Sequence, residues 1–219
     1  MMKKIIFVYH SIGSKDKFMD VEFEQFKLQI NYLKNRKFEF CHFEELLDKK
    51  CNSICIMFDD ALSSIKQAIE YLEEEKIKYS IGIIENNIGL KIDRNSLKYA
   101  EYLFHTSNHK DLNILEQNEL LNELTSKLEY INKTIIIYPK GLYNDSVIKF
   151  AKEKKYKYGL SVLPFHLPKK IRKFEIPRIC INGYLSLNKF KVFTTKAGNL
   201  YLHLAFFKRK LLGQSYLKK

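Results

Sequence analysis

The sequence predicts an α/β fold: a parallel sheet covered by helices, either open or closed into a small barrel. Three observations carry this. Short β-rich runs alternate with helical patterns along the whole chain. The β-then-α units number about seven, which fits a small barrel and implies parallel pairing. Four of the apolar runs end in a polar or ionisable residue, and the carboxyl ends of strands are where such folds collect their reactive groups. At 219 residues the chain fits one domain with a sizeable core, and it shows no linker, low-complexity segment or internal repeat.

Strands are expected over 3–9, 53–58, 78–84, 101–105, 133–138, 157–162 and 174–180, and helices over 21–35, 63–76, 94–100, 114–131, 144–155 and 186–192. In the first helix Phe23, Phe26, Ile30 and Leu33 form an apolar stripe at three- and four-residue spacing. Leu115, Leu120, Leu121, Leu124, Leu128 and Ile131 do the same over 114–131, with Glu, Asn and Lys on a solvated outer face. The opening apolar run reaches Tyr9-His10 with no small-residue cleavage site and is too short for a signal peptide, so it reads as the first strand of a cytoplasmic protein. No stretch is long enough to span a bilayer. The four cysteines, Cys41, Cys51, Cys55 and Cys180, lack zinc-finger spacing and read as reduced core or loop residues.

Charge is uneven. Residues 1–139 hold 19 Lys/Arg against 22 Asp/Glu, whereas residues 140–219 hold 19 against 3. Such asymmetry suits a polyanionic partner for the C-terminal third, and a solvated lysine-rich surface explains it equally well.

The chemistry centres on Ile54-Cys55-Ile56-Met57-Phe58-Asp59-Asp60, an apolar strand ending in two adjacent carboxylates. Neighbouring side chains on a strand point to opposite faces, so both acids serve one pocket only where the backbone turns. One reading makes an acid the cap of the following helix. The other divides the labour, with one carboxylate holding a cation and its neighbour taking a proton from water. His105-Thr106-Ser107-Asn108-His109 spaces two imidazoles so that they can converge on a metal, and with one carboxylate they complete a His₂Asp set. Read without the aspartates, they are two histidines in a polar turn. Tyr138-Pro139-Lys140-Gly141 ends another apolar strand in a tight turn, whose N–H groups either steady an oxyanion or simply turn the chain.

Phe58-Asp59-Asp60-Ala61, His105-Thr106-Ser107-Asn108-His109 and Tyr138-Pro139-Lys140-Gly141, in this order, resemble the polysaccharide deacetylase family, carbohydrate esterase family 4. The resemblance covers roughly residues 4–182 and implies a distorted (β/α)₇ barrel over residues 1–199. It implies Asp60, His105 and His109 as ligands of Zn²⁺ or another divalent ion such as Co²⁺, Ni²⁺ or Mn²⁺. Asp59 would be the general base, and the backbone N–H of Tyr138 would help stabilise the oxyanion. Phe7-Val8-Tyr9-His10 resembles the N-terminal block of the poly-N-acetylglucosamine deacetylase-like branch and makes His10 the catalytic acid, in preference to His203. Glu175-Ile176-Pro177-Arg178-Ile179 resembles a strand of the same branch, in which Arg178 would pair with Asp59 and lower its pKa; read without the resemblance, it is a surface arginine at an edge strand beside proline. The chain departs from the family at Ala61, which stands where the family has glycine and so requires a turn that avoids a glycine-only conformation. It also lacks the late His-Asp block.

Residues 200–219 form a basic amphipathic C-terminal segment, in which Leu200 to Leu212 join an aromatic-rich apolar run to Lys208-Arg209-Lys210, with Lys218-Lys219 beyond. It suits either peripheral contact with an anionic membrane or a plain helix packed on the barrel, and no nucleic-acid-binding module accompanies the charge. The expectation is a bacterial metal-dependent N-deacetylase acting on an N-acetylated sugar of a cell-surface glycan. Its substrate would be a capsule or lipopolysaccharide component, or a lipid- or nucleotide-linked precursor. The alternative is a catalytically silent glycan- or anionic-surface-binding member of the same fold.

Overall fold

The structure, a computed structural model, describes residues 2–14, 18–91 and 93–212. Its elements follow in chain order. They are β1 (Lys4–Tyr9), β2 (Ser11–Ile12), β3 (Asp20–Val21), α1 (Phe23–Asn35), β4 (Glu39–Phe40), α2 (Phe43–Asp48), β5 (Ser53–Phe58), α3 (Lys66–Glu74) and β6 (Tyr79–Ile83). Then come β7 (Ala100–Phe104), α4 (Gln117–Glu123), β8 (Asn132–Ile137), α5 (Asp145–Glu153), β9 (Tyr158–Leu160), β10 (Ile179–Cys180), α6 (Leu187–Phe193) and α7 (Lys196–Leu211).

The main sheet is parallel throughout, in the order β10-β1-β5-β6-β7-β8-β9, with β4 paired onto β5. Its two ends meet through one segment. Ile176 bridges Leu160 of β9, and three residues later Ile179 pairs with Phe7 of β1. The curled sheet is therefore a distorted seven-stranded barrel. The expected strand 174–180 is split in two because Pro177 has no N–H for a ladder.

Alternation along the strands sorts side chains into two layers. Ile5, Phe7, Tyr9, Ile54, Ile56 and Phe58 point outward and pack with Phe26, Ile30 and Leu33 of α1. Ile6, Val8, Cys55, Met57, Ile135, Ile137 and Leu160 point inward and share a cluster with Phe43 and Leu46 of α2. With Met57 inward and Phe58 outward, the next residue, Asp59, returns to the interior.

Two helices are shorter than their patterns predict. Residues 94–96 make only a 3₁₀ turn before β7 begins at Ala100. The stretch 114–131 keeps a helix only over Gln117–Glu123. On its N-terminal side Asp111 accepts a bond from the Asn113 N–H and closes a separate turn. On its C-terminal side the Lys127 N–H donates to the Glu85 carboxylate, drawing the chain out of helical register. Conversely, β2, β3, β4 and α2 carry patterns too short to read, and α7 runs through position 199/200, where the sequence had suggested a change of character. Lys218 and Lys219 lie outside the described residues.

Candidate active site

Asp59 and Asp60 both reach one site because the chain turns sharply there. Asp60 has φ +69° and Ala61 has φ +48°, two successive residues in the left-handed region. Ala61 thus adopts the conformation that glycine favours instead of avoiding it, at a cost of about 1–2 kcal/mol. Its buried methyl and the bond from Leu90 N–H to its carbonyl at 2.7 Å lock it in place.

Asp59 is buried and its Oδ1 accepts a 2.8 Å bond from Nη1 of Arg178, which is fully buried. Nε of Arg178 donates to the Ser161 carbonyl at 2.9 Å. Burial raises the Asp59 pKa, but the Arg178 guanidinium and the His105 imidazole outweigh it and hold the carboxyl well below the usual carboxylate range. Gly82 on β6 makes room for this acid: a Cβ there would stand 2.9 Å from Ile137 and 3.2 Å from Asp59 Oδ1.

Asp60 faces the histidines. Its Oδ1 lies 3.3 Å from His105 Nε2 and 3.6 Å from His109 Nε2, and the two imidazole rings stand 4.7 Å apart. His105 Nδ1 is 3.0 Å from the carbonyl of Ile137, which can only accept, so Nδ1 carries the proton and Nε2 turns its lone pair to the cluster. Asp60 Oδ1 is itself buried without a hydrogen-bond donor. An imidazole lone pair and a carboxylate oxygen facing each other at this distance repel unless a proton or cation lies between them. Burial lowers the His105 pKa, yet Asp59 and Asp60 reverse this and raise it, and the field that holds a proton there would equally hold a metal. One ligand atom from each of Asp60, His105 and His109 lies within 4.8 Å of the others. This donor set of two imidazole nitrogens and one carboxylate fits a divalent ion such as zinc.

The loop bearing His109 has its own supports, which the sequence did not disclose. Thr106 and His109 have φ of +66° and +57°, and Thr106 Oγ1 accepts from the His109 N–H at 3.0 Å. Buried Glu123 accepts from the backbone N–H and the side-chain amide of Asn108 at 2.9 and 2.6 Å.

A cleft of about 530 Å³ opens over these groups, and His10, Asp59, Asp60, His105 and His109 all line it. His10 Nδ1 is buried without a partner. Burial lowers its pKa against the pull of Asp59 and Asp60. His203 is elsewhere, stacked on Phe165 at 3.8 Å. His42 and His166 are structural, with ring nitrogens 3.0 Å from the Tyr99 carbonyl and 2.6 Å from the Phe193 carbonyl. The Tyr138 N–H is engaged within the sheet. It donates to the Leu160 carbonyl at 3.1 Å and the Tyr138 ring is fully buried against Tyr143, so that N–H belongs to the β8–β9 ladder. Lys140 and Gly141 line the cleft in its place. The opposite wall, Ser11, Ser14 and Ser64, is tied together through buried Asp20, which accepts from Ser11 Oγ at 2.7 Å and from the Ser14 N–H at 2.8 Å. Nothing in the sequence spacing linked these residues.

A parallel seven-stranded barrel thus carries a His₂Asp cluster that could hold a cation, and a separate buried aspartate, at its carboxyl rim. The chain belongs to the polysaccharide deacetylase family, whose sequence profile matches residues 47–159. YxkH of Bacillus subtilis (strain 168), provisionally named a polysaccharide deacetylase, is 25% identical over 206 residues, covering 84% of this chain and 74% of that protein. Among solved structures, the Streptococcus pyogenes deacetylase PplD in complex with acetate superposes with a TM-score of 0.77 at 20% identity, covering 89% of this chain and 99% of PplD. BC0361, a polysaccharide deacetylase from Bacillus cereus, gives 0.77 at 21% identity, covering 89% of this chain and 69% of its own. These two show the shared fold.

Proposed function

We propose that this chain is a metal-dependent N-deacetylase that removes acetyl from an N-acetylated sugar of a cell-surface glycan, or from a lipid- or nucleotide-linked precursor of one. The observation that carries this is the split between the two acids: Asp59 held by Arg178, Asp60 turned to His105 and His109. Asp60, His105 and His109 would hold Zn²⁺ or another divalent ion, which when bound supplies Lewis-acid activation of water and of the amide carbonyl. Asp59 takes the proton from the attacking water through the oxygen that Arg178 leaves free. His10, facing the same cleft, delivers a proton to the departing amine. Its lowered pKa makes its imidazolium a stronger acid than an ordinary one. Water adds to the acetyl carbon, the C–N bond breaks, and acetate and a free amine leave.

Asp59→Asn tests the assignment. The variant should retain its divalent ion and lose about 10²–10⁴-fold in acetate release from an N-acetylhexosamine glycan. Full activity in this variant would remove Asp59 from the base role. A second reading, a silent member that binds glycan or an anionic surface, is favoured by the engaged Tyr138 N–H. It requires that metal-loaded wild-type protein bind such a glycan and release no acetate. Four free thiols, one of them the exposed Cys51, suit a reducing cytoplasmic setting.

A further inference from the structure

Helix α7 turns an apolar stripe away from the protein. Leu200, Leu204, Phe207 and Leu211 recur at spacings of four, three and four residues, so they share one face. Each is more than half exposed, from 54% for Phe207 to 87% for Leu211, and Tyr201 beside them is 60% exposed. The packing needs of the helix are already met on its other side. Gly198 and Leu202 are buried, and Gly198 brings the helix so close that a Cβ would meet the Val192 carbonyl oxygen at 1.9 Å. His203 and Phe206 close that side against Phe165. A helix that had only to cover the barrel would carry polar residues opposite Leu202.

The charges around the stripe identify what covers it. On the helical wheel, exposed Lys208 and Lys210 flank Phe207 and Leu211 on either side, and exposed Lys196 lies along the same face at the first turn. No Asp or Glu occurs anywhere after Glu175. A second copy of this chain would bring the same cations face to face, whereas anionic headgroups complement them. Lysines on both flanks of an apolar stripe can lay their stems on it and lift their ammonium groups to phosphate level. No helix among the described residues is long and apolar enough to cross a membrane. We propose that α7 docks this protein on an anionic phospholipid surface, lying in the interface with Leu200, Leu204, Phe207 and Leu211 among the acyl chains.

The test is co-sedimentation of the full chain with vesicles of phosphatidylglycerol in phosphatidylcholine, and with phosphatidylcholine alone. Wild type should sediment with the anionic vesicles only and be released by high salt. Lys208→Gln/Lys210→Gln should weaken the partition about twentyfold. Leu204→Glu/Phe207→Glu should weaken it at least about tenfold with an unchanged thermal transition, since both side chains are exposed. Failure of wild type to bind the anionic vesicles, or equal binding by the lysine variant, overturns the proposal. A wild-type dimer converted to monomer by Leu204→Glu/Phe207→Glu, without vesicle binding by either, gives the face to a second copy and also overturns it.

Discussion

The Asp59–Arg178 pair is the residue-scale feature that everything at the rim leans on, and it has a pH signature. Both groups are buried, so removing the cation leaves a carboxylate with no compensation, at a cost of about 3–5 kcal/mol. The sign follows from linkage. The folded-state pKa of Asp59 is depressed, so its contribution is fully present above the unfolded value near 3.9 and is lost as pH falls toward the lowered one. In Arg178→Met, burial acts unopposed by the guanidinium and the pKa of Asp59 moves up. Urea unfolding should therefore show the largest gap between variant and wild type at neutral pH, narrowing as pH drops toward 4. A gap constant with pH would mean that Arg178 stabilises through its bond to the Ser161 carbonyl alone. This pairing was legible in the sequence through a resemblance; no spacing rule links positions 59 and 178. The left-handed turn at Asp60-Ala61 was not legible, because alanine gives no hint of positive φ and only the closed barrel makes that strain worthwhile.

At the scale of elements, long apolar strands were read nearly to the residue, whereas the rim was not. β1 and β5 declare themselves by unbroken apolar runs, but the segment 114–131 misleads. Its leucine stripe is real, yet local side-chain bonds and the Glu85 carboxylate cut the helix to Gln117–Glu123. The misreading had a consequence for function, since Glu123 looked like part of a solvated face. It is 2% exposed and holds Asn108, the neighbour of His109, through two bonds, while its own carbonyl accepts from Ser107 N–H at 3.2 Å. Glu123→Ala should lose the anchor on Asn108 and loosen the His109 loop. Calorimetric titration with zinc should show affinity lower by about ten- to a hundredfold, as when an outer support of a metal ligand is removed. Thermal unfolding without metal should fall by the equivalent of about 1–3 kcal/mol, because two hydrogen bonds to a buried carboxylate are lost. Glu123→Gln, which keeps one oxygen, should lie between. Wild-type zinc affinity in the alanine variant would show that Thr106 alone sets the loop.

For the whole molecule, the proposed ion at Asp60, His105 and His109 would act as a clasp. Asp60 follows β5, while His105 and His109 follow β7, and β6 lies between them in the sheet. The lone pair of His105 Nε2 and the orphaned Asp60 Oδ1 repel each other when neither a proton nor a cation lies between them, and an ion that binds only the folded barrel would stabilise it by mass action. With free zinc at about a hundred times its dissociation constant the gain is roughly 2.7 kcal/mol. For a chain of this length that raises the melting temperature by roughly 5–10 °C. Chelated protein should show this rise on adding zinc, detected by circular dichroism with no substrate present. His109→Ala should abolish most of the rise while leaving the chelated melting temperature nearly unchanged, because that imidazole is partly exposed and contributes little to the core. A shift that survives in this variant would place the stabilising ion elsewhere than between β5 and β7.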